Sequence, residues 1–305
     1  MIRTENLTKI YGGVKAVDSL TLEVGKGEVF GFLGPNGSGK TTTIGMLVGL
    51  IEPSTGQCYV NGVDVTRNPL TAKKITGYLP DGIGFYPGLT ARQNLKYFSR
   101  FYNLGDAVAD RRITELLEYV GLGGIEKPTE GYSRGMRQRL GVAQALLNDP
   151  EVIFMDEPTN GLDPQGVITF RKIIRDLAGR GKTVFFSSHI LEDIRQVSTT
   201  IGVISNGRIM AHGTVEEVRR KLQQDDLTTI VVEVAGRMPP LNNPEIVDAK
   251  YDSARALVRA RGDIREELAI ELARQHVHVR ELRLQERSLE DIFIETVYGG
   301  AAHEA

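Results

Sequence analysis

The stretch Gly34-Pro35-Asn36-Gly37-Ser38-Gly39-Lys40-Thr41 fills every fixed position of the phosphate-binding loop pattern G-x-x-x-x-G-K-[ST]. It stands between an apolar run that reads as a strand, Glu28 to Leu33, and a segment that reads as a helix, Thr41 to Leu50. Glycines let the backbone wrap inward so that successive N–H groups face phosphate oxygens, and the following helix aims its positive end at the same spot. Residues 34–41, with Thr42 beside them, are therefore expected to hold a nucleotide. Lys40 should reach the β- and γ-phosphates and the Thr41 hydroxyl should ligate Mg²⁺. A chance glycine-rich turn is the alternative, and it would not be expected to match throughout in this setting.

Working outward, Val152 to Met155 is a second apolar run, and it ends in Asp156-Glu157-Pro158. Two acids at the carboxyl end of a buried strand lie on the edge where open α/β sheets bind ligands. Alone they would read as a solvated strand end. Beside a phosphate loop, Asp156 is expected to hold Mg²⁺ through water and Glu157 to orient and deprotonate the attacking water. His189 follows a third apolar run, Thr183 to Ser188, which should lie beside the second. An exposed loop histidine is the plain alternative. Its place on the ligand edge favours a hydrogen bond to the γ-phosphate or to the water.

The rest of the chain sets the frame. At 305 residues it suits one large domain and one small one. Apolar residues at 41% and charged residues at 25% can build a sizeable core and argue against wholesale disorder. A net charge of -2 gives no global attraction to polyanions, so no direct nucleic-acid partner is expected. The single cysteine, Cys58, has no partner for a disulfide or a metal cage and reads as a small core residue on a strand, in keeping with a reducing compartment. The first residues, MIRTENLTKIYGG, lack the apolar run of a signal peptide. Apolar stretches such as Ile44 to Ile51 fall short of the roughly 20 residues that span a bilayer, so membrane association would come through another chain.

Between the phosphate loop and the acids, Gln57 to Val60 with Asn61-Gly62 reads as a strand entering a tight turn. A helical block follows, opened by the capping-box spacing Thr90-Ala91-Arg92-Gln93 and continued by Ile113, Leu116, Leu117 and Val120. After the acids come a helix burying Phe170, Ile173, Ile174 and Leu177, a hairpin around Asn206-Gly207, and a helix over Thr214 to Lys221. Strands alternating with helices point to a parallel sheet flanked by helices. At Gln223 to Asp226 the composition turns wholly polar, and beyond it a βαβ-like pattern begins. Its strands are Thr229 to Val234, Ala256 to Ala260 and Val277 to Leu284; its helices are Asp263 to Arg274 and one from Ser288. The expected domains are 1–222, with a helical subdomain at about 82–147, and 223–305.

Four further segments make the chain resemble the ATP-binding-cassette (ABC) ATPases over residues 1 to about 222. Tyr132-Ser133-Arg134-Gly135-Met136-Arg137-Gln138-Arg139-Leu140 is similar to the family's signature motif, and Asn160-Gly161-Leu162-Asp163 to its D-loop. Ser188-His189 resembles its switch histidine, and Tyr11 its adenine-stacking aromatic. The resemblance implies an α/β fold of the P-loop NTPase class: a mixed sheet core, an antiparallel β subdomain and a helical subdomain, with a small α+β domain after them. It implies a head-to-tail dimer, of like chains or of ABC paralogues, in which Ser133 and Gly135 cover the γ-phosphate of ATP held by the opposite subunit. Asp163 would then lie near that interface, while its plain role is to cap the helix after Pro164. It also implies a separate transmembrane permease, with this chain peripheral on the cytoplasmic face of the membrane.

Two departures from the family pattern stand out. In the signature, Arg134 replaces the first glycine of the usual pair and Met136 the usual Gln, a variant similar to the branch that serves ABC-2-type exporters. In Gly77-Tyr78-Leu79-Pro80-Asp81, an acid replaces the family's Mg²⁺-sensing Gln. Asp81 can still approach Mg²⁺, but a carboxylate donates no hydrogen bond, which puts the relay to the permease in doubt. Phe85 and Tyr86, just before the helical block, are the expected permease contacts. Ser288 to Ile294 is similar to the regulatory extension of the exporter branch. The competing function is a soluble ABC mechano-ATPase acting on ribosomes or DNA, for which neither a second cassette nor a long coiled coil is present.

Overall fold

The computed structural model describes residues 1–222 and 227–285. Two long strands, β1 (Ile2–Tyr11) and β2 (Val14–Val24), pair antiparallel and turn at Gly12-Gly13. β3 (Val29–Leu33) then runs into the phosphate loop and α1 (Lys40–Leu47). The helix ends earlier than Leu50 because Gly49 takes a left-handed φ of +68°, which closes a helix cheaply only for glycine. β4 (Thr55–Val60) and β5 (Val63–Asp64) complete a four-stranded antiparallel sheet in the order β2-β1-β4-β5. Cys58 lies on β4, fully buried.

α2 (Pro69–Ile75) and the short β6 (Thr76–Leu79) lead to the helical block: α3 (Ala91–Ser99), α4 (Asp106–Tyr119) and α5 (Arg134–Ala145). The capping box at Thr90 forms in full, with Gln93 N–H on the Thr90 hydroxyl and the Gln93 side chain on the Thr90 N–H. β7 (Val152–Met155), α6 (Pro164–Gly179), β8 (Thr183–Ser188), α7 (Leu191–Val197), β9 (Thr200–Ser205) and β10 (Arg208–Gly213) follow. They build a six-stranded sheet in the order β10-β9-β3-β8-β7-β6, parallel except for the β9–β10 hairpin.

β3, β7 and β8 are buried along their whole length, which explains the apolar runs Val29 to Leu33, Val152 to Met155 and Val184 to Phe186. Phe30, Phe32, Phe154 and Phe185 meet in this core, with Phe30 and Phe185 5.0 Å apart between ring centres. Leu7, Val17 and Leu20 of the antiparallel sheet and Ile44, Met46 and Leu47 of α1 join the same core. α6 buries Phe170, Ile173, Ile174 and Leu177, as its periodicity requires.

After α8 (Val215–Leu222), the chain carries β11 (Leu227–Val234), β12 (Ile246–Asp252), β13 (Arg255–Arg261), α9 (Arg265–Arg274) and β14 (Val279–Gln285). By contacts the protein divides into Met1–Val218 and Arg219–Ala305. The second unit is one antiparallel sheet, β12-β13-β11-β14, over its own core of Ile230, Val232, Val258, Leu268 and Leu272. The βαβ-like reading takes a split form there: β13 and β14, joined by α9, both run antiparallel to β11, which lies between them. The polar Gln223 to Asp226 and the helix expected from Ser288 lie outside the described residues. Among the described residues no helix is long and apolar enough to cross a membrane.

Candidate functional site

The parallel register sets the site. Leu33 of β3 is level with Ser188 of β8, Met155 of β7 with Phe186 of β8, and Leu79 of β6 with Met155. The phosphate loop, Asp156-Glu157, His189 and Asp81 therefore leave neighbouring strands at one carboxyl edge. There a cleft of about 350 Å³ is lined by Asn36, Gly37, Gly39, Lys40, Thr41, Thr42, Asp81 and Glu157, together with Ala16 and Asn160.

The loop is pinned from several sides. Gly34 N–H donates to Ser188 O, and Gly207 N–H, in the β9–β10 turn, donates to Ser38 O. That turn is tied in its own right, because Arg208 and Lys15 both bond the Asp18 carboxylate. Their hydrogen bonds, Lys15 first, hold the Asp18 carboxyl down at about 2. Gly39 opens α1 at φ +104°, and a Cβ there would come within 2.4 Å of Ala16 O. Only glycine satisfies both the angle and the space.

Lys40 and Glu157 form the centre of the site. Lys40 Nζ donates to Gly34 O at 2.7 Å and Pro35 O at 3.0 Å and lies 3.1 Å from Glu157 Oε1. The other Glu157 oxygen, Oε2, is 2.8 Å from His189 Nδ1. Glu157 itself has φ +48°, a left-handed conformation that costs a non-glycine residue about 1–2 kcal/mol. Neighbours offset that cost: Glu157 N–H donates to Ser187 Oγ at 2.9 Å, and Asn160 N–H to Glu157 O at 3.1 Å. Ser187 Oγ in turn donates to Asp156 Oδ1 at 2.6 Å. Asp156 is only 1% exposed and stands behind the cleft lining. Its charge and that of Asp81 add to burial in pushing the Tyr78 phenol up to about 12.

Ala16 and Ser187 escaped the reading of the sequence. Ser187 had one available signal, since it is the next-to-last residue of the apolar run that delivers His189 to the ligand edge. Ala16 had none. Other expected residues stand apart from the cleft. Tyr11 ends β1, about half exposed, with the Lys9 ammonium 5.1 Å over its ring. Ser133 caps α5, accepting from Met136 N–H at 3.2 Å, with Gly135 one residue inside the helix. Asp163 caps α6, accepting from Gly166 N–H at 2.9 Å. None of these four lines the phosphate cleft of its own chain.

The residues fit a magnesium nucleotide. Ser38 Oγ is fully buried in the loop with no hydrogen-bond partner, and Glu157 Oε1 has only the Lys40 ion pair. Lys40 is turned back on carbonyls of its own loop. Among the described residues no trio of His, Cys, Asp or Glu forms a metal cage. Hydroxyl and carboxylate oxygens such as those of Thr41, Asp156 and Asp81 suit Mg²⁺, which completes its shell with water and substrate phosphates.

A second cavity of about 580 Å³ lies between the α1 end, α2, β6 and the helical block, lined by Leu50, Leu70, Tyr78, Phe98, Phe101 and Tyr102 among others. Leu50, Leu70 and Phe101 are large apolar residues left mostly exposed. Phe85 and Tyr86 are not in this lining: Phe85 packs edge-on to Phe98 and Tyr86 to Tyr97. Tyr86 is further held by its backbone bonds to the buried Asn94.

Comparison with known proteins agrees with this geometry. The ABC transporter family profile matches residues 17–160, and that of the ATP-binding protein DrrA1-3-like C-terminal domain matches residues 213–297. The chain is 36% identical to the bacitracin transport ATP-binding protein BcrA of Bacillus licheniformis, over 98% of both chains. It is 34% identical to the daunorubicin/doxorubicin resistance ATP-binding protein DrrA of Streptomyces peucetius, over 96% of this chain and 91% of that one. The linearmycin resistance ATP-binding protein LnrL of Bacillus subtilis is also 34% identical, over 96% and 97%. Among solved structures, an ATP-binding subunit of an ABC transporter superposes with a TM-score of 0.66 at 29% identity, over 72% of this chain and 92% of that one. A dimeric bacterial ABC transporter cassette gives 0.65 at 26%, over 70% and 99%.

Proposed function

The chain belongs to the ATP-binding subunits of ABC transporters, and from that membership we propose that it closes head to tail with a second cassette around two ATP molecules to drive a separate permease of the ABC-2 exporter type. It is an ATP-binding ATPase. The observation that carries the assignment of roles is Glu157, held between Lys40 and His189 at the mouth of the phosphate loop.

In this reading the loop N–H groups and Lys40 bind the β- and γ-phosphates, and Ser38 Oγ gains its missing partner. Mg²⁺ held by Thr41, with Asp156 behind it, would supply charge neutralisation on the phosphate oxygens. Glu157, released from Lys40 as that ammonium turns to the γ-phosphate, takes a proton from the attacking water. His189 holds Glu157 Oε2 so that one carboxylate edge faces the water. Ser133, Gly135 and the N-terminus of α5 bind the γ-phosphate of the opposite cassette, and Asp163 meets that interface. Tyr11 carries the adenine ring.

Residues 1–222 form the engine and 223–305 an accessory domain. The exposed apolar patch of Leu50, Leu70 and Phe101 supports docking of a permease segment in the groove they line. Tyr78 lines that groove on β6, the strand that ends two residues before Asp81 of the phosphate cleft. The chain would then sit on the cytoplasmic face of the membrane. The relatives' names speak of bacitracin, linearmycin and daunorubicin, so these compounds are the first cargo to test.

Size-exclusion chromatography of Glu157→Gln with saturating ATP tests the dimer. A nucleotide-dependent doubling of mass is expected; a monomer at saturating ATP would sink the sandwich for the isolated chain.

A further inference from the structure

Two of the positions at which this chain departs from the common cassette pattern, 81 and 134, face each other as an ion pair. Arg134 Nη2 lies 3.5 Å from Asp81 Oδ1. Asp81 lines the phosphate cleft together with Lys40, Thr41 and Glu157. It also lines a second cleft of about 360 Å³ with Arg134, Arg137 and Gln138, so that one carboxylate forms part of the wall between the two. The Arg134 guanidinium lies over Gly161 as well, where an added Cβ would fall 2.8 Å from Cζ. Gly161 follows Asn160, a further residue of the phosphate cleft.

A bare carboxylate on the wall of a triphosphate site repels its ligand. An amide at position 81 would carry no such charge and a glycine at position 134 could not cancel one. Here an acid and a cation occur together, and each side chain is 48% exposed. A half-exposed pair at this distance is weak and opens cheaply, as a partner that must be exchanged should.

We propose that Arg134 is a positioning residue for Asp81: it holds the carboxylate at the rim of the phosphate cleft and cancels its charge until the divalent ion of the nucleotide takes that carboxylate over. This rests on the ATPase reading above. It makes the acid at position 81 a metal-sensing group whose resting partner belongs to the signature helix. The helical block and the phosphate site are then linked through one exchangeable ion pair.

The test is equilibrium titration with a fluorescent ATP analogue, in Mg²⁺ and in EDTA, of wild type, Arg134→Ala, Arg134→Lys, Asp81→Asn and the Arg134→Ala/Asp81→Asn double variant. Arg134→Ala should weaken Mg²⁺-free binding by about three- to tenfold and Mg²⁺-loaded binding by about twofold or less, as expected for one uncompensated, partly screened charge. Arg134→Lys should keep most of the wild-type behaviour. Asp81→Asn should tighten Mg²⁺-free binding by about threefold, by freeing the guanidinium. The double variant should return close to wild type. An equal loss in both buffers, or no rescue by Asp81→Asn, makes Arg134 merely structural and overturns the proposal. If Arg134→Ala does not fold, Asp81→Asn alone decides, since an unchanged ratio of the two affinities refutes it. Wild type that binds no nucleotide in either buffer would instead fail the ATPase reading itself.

Discussion

Lys40 Nζ stands 3.1 Å from Glu157 Oε1, and both side chains are almost wholly withdrawn from solvent. The ammonium that should grip the γ-phosphate therefore holds the carboxylate that should activate water, and nucleotide binding must part them. Glu157→Gln removes the competing charge. ATP binding should be kept or tightened while turnover falls by about 10²- to 10⁴-fold, the range for losing a general base. Steady-state hydrolysis and nucleotide titration check this together; unchanged turnover would mean that the water is activated elsewhere.

His189 reaches Glu157 Oε2 through Nδ1 at 2.8 Å. If it orients the base, His189→Ala should lower kcat by about 10- to 100-fold while leaving KM for ATP within about threefold. A rise in KM at constant kcat would assign the histidine to ground-state binding instead.

Asp18 of β2 ties that strand to the β9–β10 turn through Arg208, with Lys15 beside it, and their hydrogen bonds lower its carboxyl from 3.8 to about 2. Because the folded value lies below the unfolded one, the stabilisation is complete above about pH 4 and is lost as pH falls from there toward 2. Asp18→Asn should lower Tm at neutral pH and show a shallower fall of Tm between pH 4 and pH 2 than wild type. Parallel Tm curves for the two proteins would rule this contribution out.

The strand, loop and helix around Gly34–Thr41 were legible because glycine spacing and an apolar run carry local information, and the fully buried β3, β7 and β8 announced themselves in the same way. β1 was not legible. It mixes Arg3, Glu5, Asn6, Thr8 and Lys9 with its apolar residues, its pairing slips register after Thr4, and Asn6 sits at φ +47°, so no clean alternation survives. β6 is only four residues long and β12 is mostly exposed, which leaves neither a pattern. At the candidate site, residue types could be named from motif spacing. Distances such as Lys40 to Glu157, or Arg134 to Asp81, arise from strand order in the sheet and from helix placement, and no local window of sequence contains them.

Phe101, two-thirds exposed, stacks edge-on to Tyr97 and lines the apolar groove with Leu50 and Leu70. Leaving three large apolar side chains in water serves no folding purpose, and an occupant that covers them gains about 25 cal/mol for each Å² removed from solvent. A carboxylate placed there would have to be desolvated on docking. Phe101→Asp should therefore leave the ATPase rate of the isolated chain within about twofold, because the groove lies away from Lys40 and Glu157, yet abolish co-purification with the proposed permease after gentle solubilisation. If the variant still co-purifies at the wild-type level, docking uses another face of the engine. In that case the Phe85 and Tyr86 loop, next to the same helical block, is the surface to mutate next.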